Sequence, residues 1–138
     1  MKFKIYEHLP DEAKAIRYEV FCNEQGFKTE FDETDEISTH LVAYDNETPI
    51  ATCRIYKIEN ATYAIGRVAV IKAWRGKNIG ALILAEAEKY IHSQGGKEIS
   101  VSAQTRVEEF YKKQGFTPIG NIYLDEGCPH VKMIKKLY

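Results

Sequence analysis

Residues 67–80, Arg67-Val68-Ala69-Val70-Ile71-Lys72-Ala73-Trp74-Arg75-Gly76-Lys77-Asn78-Ile79-Gly80, run from an apolar, β-branched strand through a basic turn into a helix. That order suits the binding of a phosphate or diphosphate. The first amides of a helix have no intrahelical partner and point outward, and the helix dipole adds partial positive charge there. Arg75 and Lys77 add full charge, while Gly76 and Gly80 let a ligand come close to the backbone. The segment fits neither GxxxxGK[ST] nor GxGxxG, so the usual nucleotide loops do not account for it.

Other chemistry-bearing residues lie scattered. Between residues 28 and 38 acids are dense: Glu30, Asp32, Glu33, Asp35 and Glu36. Such a run reads as a solvated loop with room for a helical turn, and it would also suit a cationic amine. His40 and His130 are of the residue type most often used for proton transfer near neutral pH. The three cysteines, Cys22, Cys53 and Cys128, are odd in number and form no CxxC, which argues against both a disulfide framework and a zinc site. No metal is expected.

The elements that must position these residues follow from the hydrophobic pattern. Lys2 to Glu7 alternates as a half-buried strand does. Pro10-Asp11-Glu12 opens a helix carrying Ile16, Val20 and Phe21 on one stripe, and it fades by Gly26. His40–Tyr44, Ile50–Ile58 and Tyr63–Ile71 are strands separated by turn residues. The helix after Gly80 stops at Gly95-Gly96. Ile99–Ala103 is a strand, Arg106–Gln114 a short helix, and Thr117–Leu124 and Val131–Leu137 a final strand pair. The order β-α-βββ-α-β-α-ββ describes an α+β (mixed α/β) domain on a largely antiparallel central sheet. At 138 residues, 44% hydrophobic and 28% charged, residues 1–138 form one domain with a real core. A net charge of -1 gives no general pull toward nucleic acid or a membrane surface. No apolar run approaches the roughly 20 residues that span a bilayer. The N-terminus lacks a signal-peptide stretch, so a cytoplasmic location is expected.

Arg75-Gly76-Lys77-Asn78-Ile79-Gly80 resembles the acyl-CoA signature Q/R-x-x-G-x-G/A of the Gcn5-related N-acetyltransferases (GNAT), with Asn78 standing where that family prefers glycine. The element order is also that family's. Phe110-Tyr111 followed by Gly115-Phe116, reading FYKKQGF, resembles its late FYxxxGF motif. The run Arg17 to Gly26, with Asp32, Asp35 and residues 39–43, resembles the ElaA/YjcF-like subgroup, as does Gly127-Cys128-Pro129-His130-Val131-Lys132-Met133.

The resemblance implies acetyl-CoA as cosubstrate. Its pantetheine arm would pair with main chain of Val68, Ala69 and Val70, residues that otherwise read as a buried strand, and both readings can hold. Its diphosphate would rest on amides of Arg75, Gly76, Lys77, Asn78, Ile79 and Gly80. Asparagine tolerates positive φ comparatively well, so binding should survive with lower affinity than in a glycine-bearing relative. Tyr111 matches the tyrosine that protonates the departing thiolate. For the proton leaving the amine, Glu24, His40, His130 and the acids of 30–36 are candidates, and a water chain to a carboxylate serves equally. Asp32 and Asp35 could instead hold a cationic amine. Arg67 could hold a substrate group, although an internal ion pair is the better reading for it and for Arg17. Cys128 reads as structural.

The expected activity is acetyl transfer from acetyl-CoA to a primary amine of a small molecule or peptide, by direct attack in a ternary complex. The alternative is a CoA-binding sensor of the same fold with little catalysis. Edge strands near the C-terminus need covering, which points to a homodimer.

Overall fold

The computed structural model describes residues 1–27 and 31–137. Glu30, one of the expected acids, lies outside them. Seven strands form one sheet: β1 (Lys2–Tyr6), β2 (Thr39–Asp45), β3 (Thr48–Glu59), β4 (Thr62–Val70), β5 (Glu98–Gln104), β6 (Thr117–Asp125) and β7 (Cys128–Lys136), in the order β1-β2-β3-β4-β5-β7-β6. Every neighbouring pair is antiparallel except β4–β5. Among the described residues four α-helices flank the sheet: α1 (Asp11–Arg17), α2 (Thr34–Ile37), α3 (Ile79–Ser93) and α4 (Glu108–Lys113).

Alternation along the strands assigns the two faces. Leu41, Ala43, Cys53, Ile55, Ile65, Ile99 and Val101 point to one side. There they bury Ile79, Ile83, Leu84, Ala87 and Ile91 of α3 together with Tyr111 and Phe116. Val42, Tyr44 and Ala69 point to the other side, against Ala13, Ile16 and Val20. The first helix continues from α1 as a π-helical stretch, Tyr18–Glu24, before Gly26. On that second face, α1 packs against β2, β3 and β4.

Several boundaries differ from the sequence reading. The acid-rich segment contains one helical turn, α2, as its loop reading allowed. The helix expected over Arg106–Gln114 is a 3₁₀ turn, Thr105–Val107, followed by α4. β7 starts at Cys128, three residues before the expected Val131, because Asp125 pairs with Cys128 across a tight hairpin. That extension puts His130 inside a strand. β6 is an edge strand exposing Ile119, Ile122 and Leu124.

Candidate active site

The site begins with an irregularity in β4. On β3, Thr52 pairs with Ala69 and Arg54 with Gly66, so Arg67 and Val68 both oppose the single residue Cys53. This is a bulge, and Arg67 sits in it at a positive φ of 51°. Parallel pairing with β5 stops at Ile65–Val101. Beyond that point the two strands separate into a V, and the β5-facing edge of Val68, Ala69 and Val70 is left without a strand partner among the described residues. A backbone edge of this kind accepts an extended chain as an added strand would be accepted.

The same strand delivers the basic turn. A 3₁₀ turn, Lys72–Trp74, leads to Gly76 at φ +77° and Asn78 at φ 65°. Asn78 thus adopts a left-handed conformation, which asparagine tolerates comparatively well. Its side chain makes no capping hydrogen bond, and the first bond of α3 runs from the Leu82 N–H to the Asn78 carbonyl. The amides of Ile79, Gly80 and Ala81 are thus left for an anion. Gly80 also has a packing reason to be small. A Cβ there would stand 3.1 Å from Phe110 Cζ, so glycine lets α4 pack against the start of α3.

The charges of the turn are also placed differently. Arg75 donates from Nε to the Val70 carbonyl at 3.0 Å and grips Glu24 with both Nη atoms at 2.6 and 2.8 Å. Its guanidinium ties the first helix to the turn, and Glu24 already neutralises it. The Lys77 ammonium lies 5.7 Å from the centre of the Trp74 ring and does not line the cleft. The turn therefore offers main-chain donors more than side-chain charge.

A cleft of about 1490 Å³ joins these parts. One wall carries Val68, Ala69, Val70, Gly80 and Phe110, and the other carries Ser102, Gln104, Tyr123 and His130. Tyr111 lines it from α4, packed edge-on against Phe110 and Phe116 at 5.2 and 5.6 Å. Burial, and next the neighbouring Cys53, push the Tyr111 phenol above its ordinary value, so it stays protonated. Burial also lifts the Cys53 thiol to about 12, and Cys53 does not line the cleft.

The acceptor candidates divide. Glu24, Asp32, Arg67 and His130 line the cleft, whereas Asp35 and His40 do not. Asp35 accepts from Arg17 at 2.8 and 3.0 Å and from Arg54 at 3.1 Å, with 7% of its surface exposed. Burial favours its neutral form, but the hydrogen bonds from Arg17 and Arg54 outweigh burial and hold its carboxyl at about 2. His40 donates to the Asp35 carbonyl at 3.0 Å, and burial pushes its pKa down. This corrects the expectation that Asp35 and His40 meet the acceptor: the arginines occupy the carboxylate, and the imidazole is sealed behind it. Asp32 bonds Arg54 at 2.6 Å and Arg67 at 3.1 Å, which confirms the ion-pair reading of Arg67, as Asp35 does for Arg17. The Arg54 and Arg67 guanidinium groups overcome the effect of burial and lower the Asp32 pKa. The bond from Arg75 does the same for Glu24, so both are weakened as bases.

Two features went unrecognised in the sequence. Arg54 stands, itself buried, in the buried run Ala51–Ile55 and organises the ion-pair network; a lone charge in such a run signals a paired one. The bulge had its own sign in Gly66, a glycine inside a strand pattern.

A family model described as Acetyltransferase (GNAT) domain matches residues 7–137. The chain belongs to the GNAT acetyltransferase family. It is 34% identical over 132 residues to YjcF of Bacillus subtilis (strain 168), described as an uncharacterized N-acetyltransferase, covering 94% of this chain and 93% of that one. The crystal structure of Escherichia coli ElaA superposes with a TM-score of 0.87 at 25% identity, covering 98% and 99% of the two chains. These likenesses place the chain in the ElaA/YjcF-like subgroup. An aminoglycoside 6'-N-acetyltransferase complexed with coenzyme A shares the fold at a TM-score of 0.79 and 15% identity, covering 99% and 97%. Among the described residues, no helix is long and apolar enough to cross a membrane.

Proposed function

We propose that the protein transfers an acetyl group from acetyl-CoA to a primary amine of a small molecule or peptide, by direct attack in a ternary complex. The observation that carries this reading is the continuity of one binding track. The unpaired edge of Val68–Val70 leads straight to the uncapped amides at the start of α3, and both lie in one cleft with Tyr111. An extended pantetheine would lie along the edge, and its diphosphate would sit on the amides of residues 75–80. A strand amide would polarise the thioester carbonyl. Tyr111, kept neutral by burial, would protonate the departing thiolate. The cleft has room for cofactor and acceptor together, and alignment of the two is itself a large part of the rate.

Thiol release from acetyl-CoA with a panel of amines tests this. Turnover with at least one amine supports transfer. Tight acetyl-CoA binding with no turnover on any amine would favour the sensor reading instead. The exposed Ile119, Ile122 and Leu124 on edge strand β6 support pairing of two copies, an expectation that sedimentation equilibrium showing only monomer would remove.

A further inference from the structure

The geometry points to His130 Nε2 as the general base that takes the proton from the acceptor ammonium, an assignment that rests on the acetyl-transfer reading above. His130 Nδ1 lies 2.7 Å from the Cys128 carbonyl oxygen. A carbonyl only accepts, so Nδ1 carries a proton, and the neutral ring therefore has its lone pair on Nε2. Nε2 has no protein partner among the described residues and is not sealed from solvent. The ring lines the cleft and stacks on Tyr123 at 6.0 Å, 24° from parallel. Tyr123 is held in turn by a hydrogen bond shared between its hydroxyl and Ser102 Oγ. The imidazole is thus fixed in tautomer and in plane, with one nitrogen open to the cleft.

Its position in the V matches this role. The last β4–β5 pair is Ile65–Val101. Three residues further along β5 comes Gln104, whose cross-strand partner is His130. Three residues further along β4 comes Val68, the start of the main-chain edge. His130, beside Gln104 on the next strand, therefore lies beyond β5 on the far side of the gap from the track, and it lines the cleft. Among the described residues the other candidates are engaged or absent from the cleft: Arg75 holds Glu24, Arg54 and Arg67 hold Asp32, and Glu33, Asp35, Glu36 and His40 do not line it. The remaining charged and titratable groups around the ring are Tyr123 and Asp125 of β6, Cys128 and Lys132 of β7, Glu126 of the hairpin between them, and Arg106 of the 3₁₀ turn after β5. Asp125 and Glu126 are exposed at the hairpin tip, where they can draw an ammonium toward the ring.

The step balances as follows. Nε2 takes one proton from R–NH₃⁺, directly or through one water, to give the imidazolium and R–NH₂. The amine lone pair forms the C–N bond, and the carbonyl electrons move to oxygen. Collapse of that oxyanion breaks the C–S bond, and sulfur takes a proton from the Tyr111 hydroxyl. The second proton of the amide nitrogen returns to Tyr111 through solvent, and the imidazolium releases its proton to bulk water. The products are the acetamide, CoA thiol and one net proton.

The test compares wild type with His130→Asn. The asparagine amide keeps a donor in the place of Nδ1, so it preserves the bond to the Cys128 carbonyl while deleting Nε2. Thiol release across a pH series is measured with an amine that wild type acetylates, alongside acetyl-CoA binding by calorimetry. The assignment expects unchanged acetyl-CoA affinity and a fall in kcat of about 100-fold or more at neutral pH. It also expects the acidic limb of the kcat/KM profile to be replaced by a rate that climbs steadily with pH. Wild-type rates and profile in His130→Asn would show that the ring only holds the hairpin, and would overturn the base while leaving acetyl transfer standing. An acidic limb that survives in His130→Asn but disappears in Asp125→Asn would likewise overturn it. A wild type inert toward every amine would overturn the transfer reading and the base with it.

Discussion

Replacing Asp35 by asparagine should destabilise the protein strongly at neutral pH and hardly at all in strong acid. Asp35 accepts both Nη atoms of Arg17, a side chain only 1% exposed, and one Nη of Arg54. Removing one partner of a buried ion pair costs about 3–5 kcal/mol, because the remaining charge stays desolvated. An independent figure comes from titration. The carboxyl moves from an ordinary 3.8 to about 2 in the fold. At 1.36 kcal/mol per unit, that shift is worth about 2 kcal/mol. The folded value is the lower one, so the contribution is present above about pH 3.8 and is lost as the pH falls through about 2. Asp35→Asn should therefore lie about 3 kcal/mol below wild type near pH 7, a fall in Tm of about 10 °C. The two stability curves should converge as the solution is acidified toward pH 2. Urea unfolding followed by far-UV circular dichroism at several pH values measures both. A gap under about 1 kcal/mol at neutral pH, or one of constant size down to pH 2, would refute the reasoning.

Three further outcomes are expected. Glu24→Gln removes the carboxylate that Arg75 now holds and leaves the guanidinium's charge for the diphosphate. Acetyl-CoA should bind more tightly by about 0.2–1 kcal/mol, with the gain shrinking as salt is added, and an unchanged or weaker Kd by calorimetry would contradict this. Asn78→Gly relieves a side chain held at φ 65° beside the amides of α3 and should tighten acetyl-CoA binding; a looser variant would count against the proposed diphosphate seat. Tyr111→Phe keeps the aromatic packing with Phe110 and Phe116 but removes the hydroxyl. Its kcat should fall by about 100-fold with acetyl-CoA affinity unchanged, and an undiminished kcat would remove Tyr111 from the chemistry.

Much of this was legible in the chain because it is local. Alternation at 39–71 and helical spacing after Gly80 report which side of an element is apolar, and that is enough for the element order and sheet class. The strand-turn-helix of 67–80 was legible for the same reason, since its ligand chemistry comes from main chain whose exposure the local fold sets. The partners of charged side chains could not be read this way. Nothing near Asp35 in sequence says that Arg17 and Arg54 will fill its oxygens, or that His40 will be shut behind it. Nothing near Arg75 says that Glu24, 51 residues earlier, will take its charge. Coulomb attraction and hydrogen bonding act over a few ångströms in space, and only the packing of α1 and α2 on the sheet brings these groups within that range. The same holds for His130. Its residue type made it a candidate base, but its tautomer and its place on the cleft wall follow from the β6–β7 hairpin and from the pairing of β7 with β5. The sequence alone determined the strand, basic turn and helix that β4 and the start of α3 form; which charged side chains of the cleft are held in ion pairs was decided by the tertiary structure, because pairing between distant charges engages some candidates and leaves others open.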